Sequence, residues 1–502
     1  MNILDPIHRQ VRAWPDRIAV IDQGRPVSYA RLWRKAAIVA AHLRNAGVKP
    51  GECVAVSGLS LQSHLVVVMG LARLGAVSTS VQGGPLDEPR RELFARNQVV
   101  AWVGGTDNAA PGVKAIPVAD LAKPLPEDGS APPLAPEVQD RMWRIALSSG
   151  TTGASKSIPF THAQAALLQR LSLDAYPTGP GERMLVLADL RIGFALGHCM
   201  QQLAAGATVV FPQSLEGPEM IAAIRRDAPT RILSTPAICT VLVNHIRKLP
   251  ATQPFQASGL LSVMLGGSIV TPAQRAEVER HLCPNLVVVY GSTEMGSTAR
   301  NDSSTALEHA GTAGRLLPWV EGEAVDESGA PLPAGETGRL RFRSPAMATG
   351  YLGDPQASEA AFRDGWYYPG DKGSIDAGGN LRLGGRTDDV INLQGVKVDP
   401  ARIEAVLDSH PSVRESAVTV VARSSRRPLL AMLVIAADES APPQEAELKT
   451  LLREKLGALP EPSRVQVVTS LPRNAAGKLA RGKLPALVAA SGTLPAQDEQ
   501  ST

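Results

Sequence analysis

The sequence predicts an α/β protein built mainly on parallel sheets, because helical patterns and β-like apolar runs alternate along its first part. Residues 29–46 show helical periodicity, and the β-like run 53–57 follows them. The length of 502 residues corresponds to roughly three domain-sized units. With 44% hydrophobic and 20% charged residues, the composition is that of a globular enzyme.

The remaining stretches differ in composition and predict different structures. Residues 104–137 are rich in Gly, Pro, Ala and Asp, which predicts a loose connection between subdomains. Residues 143–320 are typical of a second α/β unit. Short strands and Gly-rich turns in 321–387 predict a small β-barrel. The last 17 residues, from Ala486, predict a flexible tail.

Charge and cysteine content exclude several classes of protein. The net charge is +3, with 51 basic and 48 acidic residues, and no basic stretch with interleaved aromatics argues for nucleic-acid binding. The four cysteines are scattered without metal-ligand spacing and are typical of reduced core residues.

Targeting and membrane signals are also lacking. The N-terminus shows no signal peptide. The apolar segment Leu65 to Val77 contains Arg73 and is too short to span a bilayer, so it predicts a core helix. We therefore expect a cytoplasmic protein without a membrane anchor.

Residue types that bind phosphate are concentrated at 148–156, which reads SSGTTGASK. A strand-like run, 143–147, precedes this segment, and a short extended run and then a helical pattern, 163–173, follow it, which suits an anion-binding loop. The P-loop pattern does not fit, since Gly150 and Gly153 are too close together and Ser155 stands where the second glycine is required. A flexible surface loop is the alternative for this segment alone.

Four further clusters follow along the chain. The β-branched run 286–289 ends in Tyr290 to Glu294, which combines an aromatic ring suited to stacking on a purine with a carboxylate suited to Mg²⁺. Residues 367–371 end in an aspartate that can accept hydrogen bonds from ribose. Residues 385–389 add an arginine, and residues 472–478 present one lysine on a turn.

In this order, the five segments resemble the adenylate-forming superfamily of acyl-CoA synthetases, aryl-CoA ligases, luciferases and peptide synthetase adenylation domains. The resemblance covers nearly the whole chain. It implies a large N-terminal domain, 1–387, of two α/β subdomains plus the small β-barrel. A small mobile α+β C-terminal domain, 388–502, would rotate about a hinge at Asp388 between adenylation and thiol attack. A solvated loop acid is the alternative role for Asp388.

The resemblance also implies roles for individual residues. The catalytic residues would be Lys478, Thr293 and Glu294, with Glu294 also binding Mg²⁺. Contacts to the nucleotide would come from Ser148, Thr151, Thr152, Lys156, Gly267, Ser268, Tyr290, Asp371 and Arg386. Structural roles are the alternatives for two of them: Tyr290 as the aromatic end of a strand, and Arg386 as the ion-pair partner of Asp388 or Asp389.

The acyl pocket of the family corresponds to a set of small and apolar residues here, Phe194, His198, Pro236, Gly266 and Met295, beside Gly267 and Ser268. A structural role for His198 is equally open. The usual aromatic-His gate is missing, and Arg191 or Asp189 takes its place. Ile192 stands where amino-acid-activating domains keep an aspartate, which disfavours amino-acid substrates. Ser157 replaces the glycine that commonly follows the loop lysine, which predicts altered kinetics.

We therefore expect an ATP-dependent acid–thiol ligase that adenylates an aryl or a short- to medium-chain acyl acid. ATP and Mg²⁺ are the expected cofactors, with CoA as the acyl acceptor or, alternatively, a phosphopantetheinyl carrier protein. A non-catalytic nucleotide-binding homologue is disfavoured, because Glu294 and Lys478 are both present. A homodimer is implied only by the family.

Overall fold

The structure, a computed structural model, has two compact units. It describes residues 2–84, 86–104, 112–124, 131–135, 138, 140–148, 155–250, 255, 257–303, 311–387, 391–393, 396–423, 426–438, 440–457, 459, 461, 463–473 and 479–490. The first unit comprises Met1–Gly267, Glu277–Gly322 and Arg341–Pro369. The second comprises Ser268–Ala276, Glu323–Leu340 and Gly370–Thr502.

The helices in the described part of the chain are α1 (Asp5–Ala13), α2 (Tyr29–Asn45), α3 (Leu61–Leu74), α4 (Glu88–Arg96), α5 (Val118–Leu121), α6 (His162–Ala175), α7 (Gly193–Ala204), α8 (Gly217–Asp227), α9 (Pro236–Arg247), α10 (Pro272–His281), α11 (Pro355–Ala361), α12 (Pro400–Asp408), α13 (Glu445–Leu456) and α14 (Leu484–Ala490), with a 3-10 helix at Arg481–Lys483.

The strands are β1 (Ile18–Asp22), β2 (Arg25–Ser28), β3 (Cys53–Val56), β4 (Val77–Ser80), β5 (Val99–Val103), β6 (Lys114–Ile116), β7 (Met142–Leu147), β8 (Ser157–Thr161), β9 (Arg183–Leu187), β10 (Thr208–Phe211), β11 (Arg231–Ser234), β12 (Ser262–Gly266), β13 (Leu286–Ser292), β14 (Gly296–Asn301), β15 (Gly314–Leu316), β16 (Glu321–Val325), β17 (Gly338–Arg343), β18 (Phe362–Arg363), β19 (Trp366–Tyr367), β20 (Asp371–Ile375), β21 (Asn380–Arg386), β22 (Ile391–Leu393), β23 (Val396–Val398), β24 (Val413–Arg423), β25 (Arg426–Ala436) and β26 (Ser463–Val467).

One sheet of the first unit has the order β6-β5-β3-β4-β7-β8, and its neighbours are parallel except for β7 and β8. The predicted helix 29–46 and strand 53–57 are present as α2 and β3. The predicted core helix Leu65 to Val77 is shifted, because Ser60 caps α3 and Gly75, at φ 77°, ends it. Val77 instead begins β4.

Strands of a second sheet that lie in the same unit have the order β15-β14-β13-β12-β11-β9-β10-β1-β2. They are parallel from β13 to β1; β2 pairs antiparallel with β1, and β14 and β15 continue the sheet antiparallel beyond β13. The N-terminal strand β1 belongs here because it pairs with β10, with Val20 opposite Val209. The prediction of mainly parallel sheets in two α/β subdomains is therefore confirmed.

The loose connection expected at 104–137 is partly wrong. Within it, β6 adds a parallel strand to β5, and α5 buries Leu121. Strand β6 forms there because it pairs with β5, which lies just before this stretch in the chain. The short strands predicted between 321 and 387 are present as β16 to β21.

The C-terminal part of the second unit is α+β. Strands β24 and β25 are antiparallel, β26 is parallel to β25, and α12 and α13 contribute Leu407 and Leu452 to one core. The prediction of a flexible tail from Ala486 ends the ordered chain too early. Helix α14 continues to Ala490 because Leu484 and Val488 are buried in a second core. Residues 491–502 lie outside the described residues.

The cysteines agree with the prediction of reduced core residues: Cys53, Cys199, Cys239 and Cys283 are all unpaired and buried. In the described ranges, the structure has no helix that is long and apolar enough to cross a membrane.

Candidate active site

The segment 148–156 connects two neighbouring strands, as the sequence predicted. Leu147 at the end of β7 lies opposite Ser157 at the start of β8. The Ser148 N–H donates to the Lys156 carbonyl over 3.0 Å, and the Lys156 N–H donates to the Ser148 hydroxyl over 3.3 Å. The ends of the loop are thus held together at Lys156. Thr151 and Thr152 lie outside the described residues.

A tight hairpin between β13 and β14 carries Glu294. Gly291 is required there, because a Cβ at this position would lie 2.2 Å from the Gly296 carbonyl oxygen. The Ser292 hydroxyl accepts from the Met295 N–H, and the Glu294 carbonyl accepts from the Ala348 N–H. Glu294 is only 5% exposed, so its carboxylate has to be satisfied by neighbouring donors.

A tyrosine supplies one such donor. The Tyr351 hydroxyl donates to Glu294 Oε1 over 3.0 Å, and Tyr367 is a second buried tyrosine in the same surroundings. Burial and the Glu294 charge raise the pKa of both phenols, so both keep their protons. Lys156 Nζ lies 4.6 Å from the centre of the Tyr351 ring, within cation–π range. One tyrosine therefore connects the loop lysine with Glu294.

The other residues assigned to this hairpin remain near it. Tyr290, in β13, is half-buried with its ring 6.0 Å from Phe342. Thr293 follows β13 in the turn and is half-buried, whereas Met295 is buried. The end of β13 thus places Thr293 and Glu294 in one three-residue turn.

Part of the predicted acyl pocket is brought together. A Cβ on Gly266 would lie 2.9 Å from the Phe194 ring, so only glycine admits that ring. Phe194 makes an edge contact with His198, at 4.9 Å between centres, and Tyr176 makes another. Burial lowers the pKa of His198 to about 4, so it is a neutral aromatic residue at neutral pH. Pro236 is buried at the start of α9. Gly267, at φ 96°, ends this stretch of the first unit, and Ser268 belongs to the second.

The segment that replaces the aromatic-His gate is held by charged groups. Asp189 pairs with the Arg191 side chain, with Oδ2 to Nη2 at 2.6 Å. Arg144, buried in β7, donates to the Arg191 carbonyl over 2.8 Å. Burial lowers the pKa of Arg144 to about 10. The side chains of Asp189 and Arg191 therefore act together, since each is the ion-pair partner of the other.

Within the second unit, Asp371 and Arg386 face each other across β20 and β21. Arg386 Nη1 lies 2.9 Å from Asp371 Oδ1. The alternative pairing of Arg386 with Asp388 or Asp389 involves residues outside the described ones. Gly385, at φ 108°, precedes the arginine, and a Cβ there would lie 3.0 Å from Ala401 Cβ.

Lys478 and Asp388 also lie outside the described residues. The chain on both sides of Lys478 is defined: Arg473 and Leu479 form an antiparallel bridge, and the Ala480 N–H donates to the Pro472 carbonyl over 2.8 Å. Pro472 and Arg473 are therefore paired with Leu479 and Ala480, on the two sides of residues 474–478.

Sequence reasoning missed Tyr351, Tyr367 and Arg144. Tyr367 begins the cluster 367–371 and Tyr351 lies in none of the five segments, and only the fold brings them near Glu294. An arginine inside the apolar run 142–147 was a visible signal for the third, because a buried charge requires polar partners.

The chain is similar in sequence and in structure to known proteins. The sequence pattern of the AMP-binding enzyme family matches residues 7–352, and that of the AMP-binding enzyme C-terminal domain matches residues 402–478. A feruloyl-CoA synthase of Amycolatopsis sp. is 28% identical, over 95% of this chain and 97% of its own. A fatty acid–[acyl-carrier-protein] ligase, ScoC of Streptomyces coeruleorubidus, is also 28% identical, over 94% of this chain and 93% of its own. The structure of the amide bond synthetase McbA from Marinactinospora thermotolerans matches with a TM-score of 0.82 at 26% identity, covering 97% of this chain and 99% of that one.

Proposed function

Because the chain belongs to the AMP-binding enzyme family, we propose that it activates an organic carboxylic acid with ATP and transfers the acyl group to the thiol of CoA. The acid is an aryl acid or a short- to medium-chain acyl acid. The observation that carries this proposal is the contact chain Lys156–Tyr351–Glu294, in which one buried tyrosine holds a cation over its ring and a carboxylate at its hydroxyl.

The reaction consists of two displacements. A carboxylate oxygen first attacks the α-phosphorus of ATP, and the bond from that phosphorus to the bridging oxygen of pyrophosphate breaks. The CoA sulfur then attacks the acyl carbon, AMP leaves with the electron pair of the carbon–oxygen bond, and the thiol proton passes to solvent. Since the first step brings two anions together, catalysis depends on positioning and charge neutralisation rather than on a protein nucleophile.

Roles in the first unit follow from this requirement. Lys156 neutralises charge on the β- and γ-phosphates, and Ser148, Thr151 and Thr152 donate hydrogen bonds to them. Thr293 contacts the α-phosphate, Tyr290 stacks on adenine, and Gly267 borders the nucleotide. Phe194, His198, Pro236, Gly266 and Met295 line the acyl pocket. The Gly266–Phe194 approach, which leaves no room for a larger residue, supports this pocket wall.

Glu294 fits a role as a ligand of Mg²⁺. Its buried carboxylate accepts a hydrogen bond from the Tyr351 hydroxyl at Oε1, which leaves Oε2 as a further oxygen ligand. Among the described residues no group of three or more His, Cys, Asp or Glu side chains forms a metal cage. Mg²⁺ is commonly bound by one or two carboxylates together with substrate phosphates, so a single glutamate beside a triphosphate suffices. Bound there, Mg²⁺ would neutralise phosphate charge.

In the second unit, Asp371 accepts from the ribose hydroxyls and Arg386 donates to them, while Ser268 borders the nucleotide. Lys478 bridges the carboxylate and α-phosphate oxygens during adenylation. Asp388 is the hinge between an N-terminal domain, 1–387, and a C-terminal domain, 388–502. The gap between the two family patterns, at 353–401, is compatible with that boundary.

Acid-dependent exchange of ATP with pyrophosphate tests this function, because it needs no knowledge of the acceptor. A panel of aryl, short-chain and long-chain acids should include at least one responder. The responder is then offered CoA, a phosphopantetheinyl carrier protein and a simple amine, and thioester formation with CoA is the expected result. A chain that exchanges with no acid of the panel would contradict the proposal. Transfer only to the carrier or only to the amine would show that this compound, and not CoA, is the acyl acceptor.

A further inference from the structure

We propose that Arg96 is a positioning residue for the phosphate-binding loop, because it donates hydrogen bonds to the residues on both sides of Lys156. This inference rests on the proposed function and extends it to a residue that lies in none of the five nucleotide motifs. Arg96 is the last residue of α4, a helix that connects two strands of the first sheet.

Two hydrogen bonds carry the inference. Arg96 Nη2 donates to the Ser155 carbonyl oxygen over 2.5 Å, and Nε donates to the Ser157 hydroxyl over 3.2 Å. These two acceptors immediately precede and follow Lys156. Ser157 is only 1% exposed, so water cannot readily replace the arginine as its partner. Hydrogen bonds from an ionised donor are about twice as strong as neutral ones.

The surrounding chain is shaped to admit this arginine. Gly353 has φ 70°, and a Cβ there would lie 2.8 Å from Arg96 Cγ. Its neighbour Leu352 donates its N–H to the Ser157 carbonyl over 2.8 Å. Tyr351, one residue earlier, carries Lys156 over its ring. The segment 351–353 therefore contacts the arginine, the end of the loop and the loop lysine together.

Ser157 gives this contact its particular character. The family commonly has glycine after the loop lysine, and glycine would offer Arg96 no hydroxyl. Serine restricts the backbone and supplies the second acceptor. We infer that the chain replaces flexibility after the lysine with an arginine clamp, which limits the directions in which Lys156 can approach the phosphates.

Arg96→Ala, Arg96→Lys and Ser157→Gly test the clamp, and Arg91→Ala on the same helix is the matched control because its side chain is exposed and paired only with Glu88. The readout is calorimetric binding of Mg²⁺ with an α,β-methylene ATP analogue. We expect the dissociation constant to rise about 10-fold in Arg96→Ala and about 3-fold in Ser157→Gly. Arg96→Lys should lie between Arg96→Ala and the wild type, and Arg91→Ala should match the wild type.

The second half-reaction distinguishes a positioning role of Arg96 from a purely structural one. Transfer from a supplied acyl-adenylate to CoA does not use the β- and γ-phosphates, so it should be unchanged in all variants. Nucleotide binding within about twofold of wild type in Arg96→Ala would overturn the proposal, as would an equal loss in binding and in transfer. If Arg96→Ala does not fold, Ser157→Gly and Arg96→Lys decide by the same criteria.

The double variant Arg96→Ala/Ser157→Gly adds an internal check. Because both substitutions remove the same contact, their effects on binding should be less than additive. A wild-type chain that binds the analogue but exchanges no acid would contradict the proposed function and leave this comparison valid. A chain that binds no nucleotide would overturn both.

Discussion

The loop around Lys156 and the loop that ends at Lys478 are both flanked by arginines, but those arginines meet different acceptors. In the first unit, Arg96 donates to a carbonyl and a hydroxyl, and it has no carboxylate partner among the described residues. In the second unit, Arg473 pairs with Glu415, and Arg481 makes a two-pronged pair with Glu404 at 2.7 and 2.8 Å.

The carboxylate pairs are part of a wider charged cluster. Glu404 also accepts from the Val418 N–H over 2.8 Å, which fixes α12 to β24. Asp408, one turn further along α12, accepts from the Ser416 hydroxyl over 2.7 Å. Ion pairs with Glu415 and Glu404 thus hold Arg473 and Arg481, the described arginines on the two sides of residues 474–478.

The contacts of Arg96 and those of Arg473 and Arg481 should differ in their dependence on pH. Neutral oxygens do not titrate near neutrality, so the contacts of Arg96 should be constant over the working range. The carboxylates that Arg473 and Arg481 contact lie near Asp408, and burial together with the charges of those carboxylates raises the pKa of Asp408 to about 7. We therefore expect the first loop to be insensitive to pH and the second to respond to it.

The largest effect should come from Lys478→Ala. If this lysine bridges the carboxylate and the α-phosphate only during adenylation, acid-dependent exchange should fall about 1000-fold, because one preorganised donor is commonly worth several kcal/mol in the transition state. Transfer from a supplied acyl-adenylate should be nearly unchanged. Lys483→Ala, at an exposed position in the 3-10 helix, is the control. Equal loss in both half-reactions would contradict a role of Lys478 that is confined to adenylation.

A second test concerns the hinge. Asp388→Pro should restrict backbone rotation at the predicted boundary, so transfer to CoA should slow about 100-fold while exchange remains near wild type. Single-turnover measurements of each half-reaction check this. A variant that slows both equally would place the hinge elsewhere and leave the role of Lys478 unaffected.

Glu404→Gln should give an intermediate effect. It leaves the half-buried Arg481 without its charged partner, and we expect exchange to fall about tenfold through misplacement of the hairpin. Affinity for the ATP analogue should change much less, since Lys156 is held by Arg96. Glu447→Gln, at an exposed carboxylate paired with His410, is the control in the same unit. An equal effect of both variants would contradict a specific role for Glu404.

Residue type and order were sufficient to predict the family, the two α/β subdomains and the β7–loop–β8–α6 arrangement around Lys156. Glu294 was identifiable because a carboxylate after a buried strand and a turn has few structural uses. The family prediction and the fold class are confirmed, and the relatives that act on acids and CoA bear out the predicted class of activity. The individual site residues stay predictions.

The supports of the site were not predictable, because each is a contact between residues far apart in sequence. Arg96 reads as one of several arginines on an exposed helix, and only the fold brings it to Ser157. The pairing of strand β1 was unpredictable for the same reason, since its partner β10 lies much later in the chain. Period and composition report local structure, whereas pairing over long distances depends on packing.

The smallest expected effect concerns Asp408 and the stability of the second unit. Burial, followed by the charges of Glu404 and Glu415, raises the pKa of Asp408 to about 7, against an ordinary value of 3.8. Between these values the folded state binds a proton that the unfolded state has lost, so stability falls as pH rises from about 4 to about 7. Asp408→Asn should remove this slope and, at pH 8, stabilise the unit relative to the wild type. Hydrogen exchange of peptides from β24 and β25, compared between pH 5 and pH 8 after correction for intrinsic rates, measures the change. The same slope in wild type and variant would show that Asp408 does not titrate there, and it would contradict the expected response of the second loop to pH.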